Sequence, residues 1–414
     1  MKQTTPAPVY LHALGMICAL GGDLDAIVTA LANNEAPGMG EIETQTGRAF
    51  AGRVCEPLDI EPPAALRFLD CRNNRLLYTA LLQIAPQIET AREHYGAQRI
   101  GVVLGTSTSG MSAGEAAVRE FMRSGALPDS FDYRQIEFGT AALFAAAAFG
   151  LRGPAYTIST ACTSSAKAII SARRLLRAGL CDAVVTGGVD SLCELTLQGF
   201  ASLELISATR TNPMSRNRCG INIGEGAAVF LMSRAESGAG DRDDENGKSV
   251  MLAGAGEMSD AYHVSSPDPE GVGSEMALRG ALADAGLSPA QIGYVNLHAT
   301  ATQKNDEMEA HLMARVFPDG VAASGTKPLT GHALGAAGAI ELGLTWLCLA
   351  RDDVALPHHV WDGERDFALP ALDLVEEVRY PRRRGNVNGS GSMQYMMSNS
   401  FAFGGSNASL ILGR

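Results

Sequence analysis

Cysteine, histidine and lysine stand in this chain where short apolar strands give way to helices, and together they could carry nucleophilic chemistry. Cys162 lies in Ala155-Tyr-Thr-Ile-Ser-Thr-Ala-Cys-Thr-Ser-Ser-Ala-Lys, directly before Ala166, Ile169, Ile170, Ala172, Leu175 and Leu176 at helical spacing. Arg173, Arg174 and Arg177 near the end of that run and Gly179 after it mark the helix stop. The helix dipole would put partial positive charge beside the sulfur and favour thiolate over thiol, which makes Cys162 a candidate nucleophile. A lone cysteine is more often a small buried apolar residue, so the assignment depends on partners. Partners occur in Asn296-Leu-His-Ala-Thr-Ala-Thr, in Gly325-Thr-Lys-Pro-Leu-Thr-Gly-His and in Ser398-Asn-Ser-Phe-Ala-Phe-Gly-Gly-Ser-Asn, each expected at a strand end or helix start. His298 or His332 alone would read as a satisfied core histidine; both together with Cys162 read as a site. At a helix start, His332 should have its pKa pushed down and stay neutral.

The elements that must position these residues follow an alternating pattern. Val9 to Leu20 reads as an opening strand, followed by a Gly21-Gly22 turn and a helix from Leu24 to Asn33. Further strands are expected at Tyr156–Ser159, Ile100–Leu104, Ala183–Thr186, Ala227–Met232 and Tyr294–Leu297, with a helix from about Asp306. Glu236 to Lys248, rich in Gly, Asp and Glu, is the best candidate for a boundary between halves. The run Gly331-His-Ala-Leu-Gly-Ala-Ala-Gly-Ala resembles Ala161-Cys-Thr-Ser-Ser-Ala-Lys-Ala in kind: one reactive residue, then residues small enough for close approach. A duplicated α/β architecture with buried central helices follows.

With 414 residues, 46% hydrophobic and 19% charged, the chain is an ordinary globular composition with room for one large or two medium domains. A net charge of −12 argues against a general nucleic-acid binder. Two local exceptions are Arg67, Arg72 and Arg75 within nine residues, and the loop of Arg210, Arg216 and Arg218; either could dock an acidic partner. The eight cysteines show no C-x-x-C pair or zinc-like spacing and read as reduced thiols of a cytoplasmic protein. Met1 to Pro8 leads into no apolar segment with a cleavage site, and Phe138 to Leu151 is too short to span a bilayer, so neither export nor membrane insertion is expected. Gly110-Met-Ser-Ala-Gly matches the G-x-S-x-G elbow of serine hydrolases, but five residues separate this motif from the preceding strand, and a pocket-lining loop is the better reading.

On the Cys162, His298 and His332 motifs, in that order, the chain resembles the elongating β-ketoacyl-acyl-carrier-protein synthases, condensing enzymes of the thiolase-like fold. The likeness runs from Val9-Tyr-Leu-His-Ala-Leu-Gly-Met through Asp260-Ala-Tyr-His-Val-Ser-Ser-Pro to Asn399-Ser-Phe-Ala-Phe-Gly-Gly-Ser-Asn-Ala-Ser. It implies an α/β, five-layer αβαβα fold built from two duplicated halves, 1–248 with the nucleophile and 249–414 with both histidines. It implies that an acyl chain passes from the phosphopantetheine arm of an acyl carrier protein to Cys162, that malonyl-carrier loses carbon dioxide, and that the carbanion attacks the acyl-cysteine. The residue types suit this: thiolate exchanges thioesters as alkoxide does not, and two neutral imidazoles can hold the developing oxyanion without a metal or bound cofactor. By resemblance Lys327 lies near His332 and organises it, Glu309 and Asp306 stand behind the site on the helix after His298, and Thr300 and Thr302 hold the pantetheine arm. The backbone N–H groups of Cys162 and Phe403 would form the oxyanion hole, with Phe403 as gate and Thr108 lining the acyl tunnel. Arg67, Arg72, Arg75 and Arg210 become candidate carrier-docking residues, and a homodimer or a heterodimer with a related subunit is expected.

The chain departs from the family in reading His298-Ala-Thr-Ala-Thr for the usual His-Gly-Thr-Gly-Thr, and Ala402 before Phe403 for the usual glycine. A positive φ at Ala402 would cost about 1 kcal/mol and stiffen the gate. With a polar loop from Gly105 to Gly110, the departures suggest a specialised polyene or polyketide chain beside plain fatty acid elongation. A non-catalytic chain-length subunit is the alternative, although such subunits lack the nucleophile. A degradative thiolase would need a further cysteine near the C-terminus, and none follows Cys348.

Overall fold

Along the first strand the apolar side chains alternate, and the two faces of the alternation enter different cores. In the computed structural model, which describes residues 7–45, 47–236, 249–381 and 394–414, Ala13 and Ile17 join one apolar cluster while Leu14, Met16 and Cys18 join another. This strand is β1 (Tyr10–Cys18); a hairpin of β2 (Met39–Thr44) and β3 (Gly47–Gly52) follows, then β4 (Ile100–Gly105), β5 (Ala155–Ile158), β6 (Ala183–Asp190) and β7 (Gly226–Ser233). Later come β8 (Val250–Ser259), β9 (Ile292–Asn296), β10 (Ala322–Ser324), β11 (Asp373–Leu374), β12 (Tyr395–Ala402) and β13 (Ser406–Gly413). The helices are α1 (Leu24–Asn33), α2 (Arg72–Gln83), α3 (Ala85–Tyr95), α4 (Met111–Ser124), α5 (Thr140–Ala148) and α6 (Ser164–Arg177). They continue with α7 (Glu194–Ser202), α8 (Val272–Ala285), α9 (Gln303–Val316), the single turn α10 (Lys327–Thr330) and α11 (Ala337–Ala350).

The duplication is visible in the sheet. From the junction outward, the first half runs β1-β7-β6-β4-β5 and the second β8-β13-β12-β9-β10, with β11 added at the edge. In both, the first two pairings are antiparallel and the next two parallel. The halves meet where Tyr10 and Leu11 of β1 pair with Met251 and Val250 of β8. The expected boundary at 236–248 lies, apart from Glu236, outside the described residues.

Three cores define five layers. Val102, Leu104, Val185 and Val229 pack outward under α2, α3 and α5, whereas Val103, Val184 and Phe230 pack inward on α6 and α11. Across the middle, Tyr294, Met396 and Leu410 point at the same two helices, while Val295, Met397 and Ile411 pack outward under α8 and α9. Helices α6 and α11 occupy equivalent places in the two repeats and form the buried middle layer. Ser165 Oγ on α6 accepts the Ala339 N–H of α11 at 2.9 Å, satisfying one of the orphan donors in its first turn. Close approach needs glycine at two strand positions: a Cβ on Gly105 would stand 2.3 Å from Ser165 N, and one on Gly188 2.6 Å from Ser165 Cβ. The start of α6 therefore rests directly on β4 and β6, which fixes the residues before it. Among the described residues no helix is long and apolar enough to cross a membrane.

Candidate active site

Cys162 sits in the turn between β5 and α6, one residue short of the helix cap Thr163. The turn is closed by Ala161 at φ +51°, whose carbonyl accepts the Ser164 hydroxyl at 2.6 Å and the Ser107 hydroxyl at 3.1 Å. Left-handed alanine costs about 1–2 kcal/mol, and these bonds offset it. The sulfur is buried, and burial pushes its pKa up to about 12 despite the opposing charge of Lys327. The resting state is therefore a thiol, not the thiolate expected from the helix end, because Cys162 precedes the helix and desolvation is the larger effect.

His332 Nε2 lies 3.1 Å from Cys162 Sγ. The histidine follows Gly331 (φ +67°), and its backbone is tied on both sides, donating to Asn222 O at 2.7 Å and accepting from Gly224 N at 2.9 Å. Among the described residues its Nδ1 has no hydrogen-bond partner, and no contact there locks either neutral tautomer. The His298 ring stands edge-on to it, 5.4 Å between centroids, and is backed by Phe401 at 5.9 Å. Burial first, then the charge of Lys327, holds both imidazoles well below the ordinary value and hence neutral.

Lys327 departs from its expected place. It lies 3.4 Å from His298 Nδ1, donates to His298 O, and pairs with Glu341 at 2.5 Å, all buried. His332 feels its charge, but the contacts go to His298, because α10 is one turn long and Gly331 then bends the chain away. A donor at Nδ1 leaves the His298 proton on Nε2. Cys162 Sγ and one nitrogen of each ring lie within 4.8 Å of one another, a spacing a soft cation could also use.

Glu309 and Asp306, both on α9, clamp the segment after β9. Glu309 accepts the N–H groups of His298 and Ala299 at 2.8 and 2.7 Å, and Asp306 that of Ala301 at 3.1 Å. Burial raises both carboxyls, Glu309 to about 7. The clamped segment is strained: Ala299 has φ +38° and Ala301 φ +63°, so both alanines occupy the left-handed region that suits glycine. Alternating with them, Thr300 and Thr302 bring their hydroxyls to 3.0 Å. Ala402 is different; at φ −128° it is extended, and the cost expected for it does not arise.

A cavity of about 350 Å³ reaches Cys162, His298 and His332, with Thr300, Thr302 and Phe403 among its walls. Phe403 faces Phe200 at 5.4 Å. A second hollow of about 450 Å³, between Trp361, Arg365 and Arg379, touches none of these groups. Thr108 does not line the cavity: its hydroxyl and N–H both go to Asp190, at 2.9 and 2.8 Å. Arg72, expected at the docking edge, makes two bonds to the buried Glu225 and keeps a third of its side chain exposed. Arg75 is bound to Asp70 and Leu58 O, Arg67 is exposed beside Glu61, and Arg210 is half-buried. Ser112 falls in the first turn of α4, not in an elbow.

Four contributors escaped the sequence reading. Asp190 ties the 106–108 loop to Gly335 N beyond His332. Glu341 neutralises Lys327, Phe401 backs His298, and Asn222 anchors His332. An acid at the end of Val-Val-Thr-Gly-Gly-Val-Asp and a lone acid inside the apolar run 337–350 were the available signals.

Family models described as "Beta-ketoacyl synthase, N-terminal domain" and "Beta-ketoacyl synthase, C-terminal domain" match residues 72–237 and 250–360. A 3-oxoacyl-[acyl-carrier-protein] synthase 2 of Vibrio cholerae serotype O1 is 32% identical over 98% of this chain and 99% of its own. Among solved structures, "Ketosynthase (ApeO) in Complex with its Chain Length Factor (ApeC) from Xenorhabdus doucetiae" shares 42% identity at TM-score 0.90, covering 98% of both chains. A type II PKS acyl-carrier protein in complex with its ketosynthase, AntDE:AntF, matches at TM-score 0.82 and 21% identity over 98% of this chain and 99% of that one, a likeness of fold.

Proposed function

The chain belongs to the β-ketoacyl synthase family, and from that premise we propose how its own residues run the decarboxylative condensation of fatty acid or polyketide elongation. The observation that carries the reading is the 3.1 Å approach of His332 Nε2 to a buried thiol, with a second neutral imidazole alongside. In the first step Cys162 Sγ attacks the carrier-bound acyl thioester, its proton passing to His332 Nε2. The proton goes on to the departing pantetheine thiolate, leaving acyl-Cys162. In the second, the carboxylate–carbon bond of malonyl-carrier breaks, carbon dioxide leaves, and the negative charge moves to the thioester oxygen. The Nε2–H of His298 and an N–H of His332 hold that oxyanion. The carbanion attacks acyl-Cys162, the carbon–sulfur bond breaks with its electron pair going to sulfur, and the thiolate takes up one proton from solvent. Because His332 Nδ1 is unpartnered, the ring is free to accept a proton in one step and offer one in the other.

The substrates ride on the phosphopantetheine arm of an acyl carrier protein, the carrier that the relatives' names print for them. Thr300 and Thr302 line the approach for that arm, and Phe403, between Ala402 and two left-handed glycines, is placed to gate it. We take 1–248 and 249–414 as the two repeats, one giving the nucleophile and the other both imidazoles, in a cytoplasmic protein. The finer reading is a heterodimeric ketosynthase of a specialised polyketide or polyene type. It is supported by 42% identity to a chain of a complex between a ketosynthase and its chain length factor, against 32% to the 3-oxoacyl-[acyl-carrier-protein] synthase 2. The test supplies acyl-carrier and malonyl-carrier protein and follows carbon dioxide and β-ketoacyl-carrier formation. The wild type forms both and Cys162→Ala forms no condensed product; condensation by the variant would overturn the reading.

A further inference from the structure

His359 is buried, outside the catalytic cavity, and has both ring nitrogens engaged. Its Nδ1 accepts the Gly325 N–H at 3.0 Å, and its Nε2–H donates to Pro213 O at 3.0 Å. A backbone N–H can only donate and a carbonyl only accept, so these partners allow one tautomer of the neutral ring. The His359 N–H is itself anchored to Val375 O at 2.7 Å.

The two loops it ties together press on the strained segment beside His298. A methyl built on Gly325 would stand 2.5 Å from the Ala299 methyl and 3.5 Å from Pro213 Cγ, so Ala299 occupies the space that Gly325 leaves. Next to Pro213, the Met214 N–H donates to Asp306 at 2.8 Å, and the other Asp306 oxygen takes the Ala301 N–H. Two residues beyond Gly325 stands Lys327, which holds the carbonyl of His298 and faces its Nδ1. Both faces of the left-handed pair Ala299 and Ala301 are thus backed by segments that one imidazole fastens. Strained backbone persists where its surroundings over-determine it.

We propose that His359 is a positioning residue for His298: by bridging Gly325 to Pro213 it holds Ala299 and Lys327 in place and so aims the His298 N–H at the oxyanion. This rests on the condensation proposed above, and it concerns the decarboxylating step alone. Cys162 and His332 are anchored elsewhere, through Ser107, Ser164, Asn222 and Gly224.

The test uses the full chain, with any partner subunit that co-purifies, and the variants His359→Leu, His359→Gln and Gly325→Ala. Acylation of Cys162 is followed by intact mass, and kcat and KM for malonyl-carrier protein are measured separately. A glutamine amide carries one acceptor and one donor about as far apart as the ring nitrogens, so it can replace both bonds. Misplacement of a catalytic group by about 1 Å costs up to ~100-fold. His359→Leu should lower kcat for condensation ~10- to 100-fold, with KM and the acylation rate within about threefold of wild type, and His359→Gln should recover most of the loss. Gly325→Ala reaches the same clamp by pushing on Ala299, and should show the same split even where His359→Leu does not fold. Unchanged kcat in both loosening and pushing variants, or acylation and condensation falling by one common factor, overturns the inference. A wild type that acylates Cys162 but never condenses overturns the parent reading instead.

Discussion

Two imidazoles beside one sulfur are not interchangeable here. His332 touches Sγ, whereas His298 is held by Lys327, Glu309 and Phe401 and is the imidazole to which the proposed mechanism gives the oxyanion. His298→Ala should therefore keep acyl transfer to Cys162 and lose malonyl decarboxylation by ~100-fold or more, of the order found on removing one oxyanion donor. Stopped acylation with unaffected decarboxylation would reverse the assignment. The buried rings also shape stability. Burial lowers the His359 pKa to about 4, against an ordinary 6.5. Between these values the unfolded chain binds a proton that the folded chain refuses, so stability from this group is complete above pH 6.5 and lost as pH falls toward 4. Relative to His359→Gln, the wild type should lose up to ~3 kcal/mol across that window, at about 1.4 kcal/mol per pH unit; denaturant titrations of both at pH 7.5 and 4.5 measure it. A gap independent of pH would mean the folded ring titrates normally. That Cys162, His298 and His332 come together was legible from sequence because each carries its chemistry in its type. Their supports were not: nothing about Arg72 discloses a buried Glu225, 153 positions away, and nothing about Thr108 discloses Asp190.

At the scale of elements, α9 and the segment before it form one device. Its first two turns present Asp306 and Glu309 to the N–H groups of a left-handed alanine pair, giving buried donors partners they would otherwise lack. Glu309→Gln keeps one acceptor but turns an amide NH2 toward the other N–H. It should cost about 1–3 kcal/mol of stability and lower condensation more than Cys162 acylation. Equal loss of both rates would assign the clamp a folding role alone. Strand and helix periodicity located α1 to the residue, the five strands of the first half of the sheet and β9, since alternation in β1 is imposed by two cores; β8, β12 and β13 went unlocated. Backbone sign was beyond its reach: Ala299 and Ala301 lie in the left-handed region and Ala402 does not, although all three stand where the family has glycine.

As a whole, the molecule is one topology used twice, and its site exists because the repeats are stacked. The first contributes Cys162 and the second His332 from the turns before α6 and α11, which the Ser165 to Ala339 bond holds in register. The duplication was readable in the likeness of the runs around Ala161 and Gly331; that both halves share one sheet was not, because the joining pairs at β1 and β8 carry no sequence mark. Co-expression with a neighbouring ketosynthase-like subunit that lacks the cysteine should give a 1:1 complex by light scattering, more active than this chain alone. A stable, fully active homodimer would contradict the heterodimeric reading. The most direct test of the central claim is intact-mass and peptide analysis after mixing the protein with acyl-carrier protein in the absence of malonyl groups. The account predicts one acyl adduct per chain, located on Cys162 and discharged as β-ketoacyl product when malonyl-carrier protein is added. An adduct on another residue, or one on Cys162 that malonyl-carrier protein leaves in place, would contradict it.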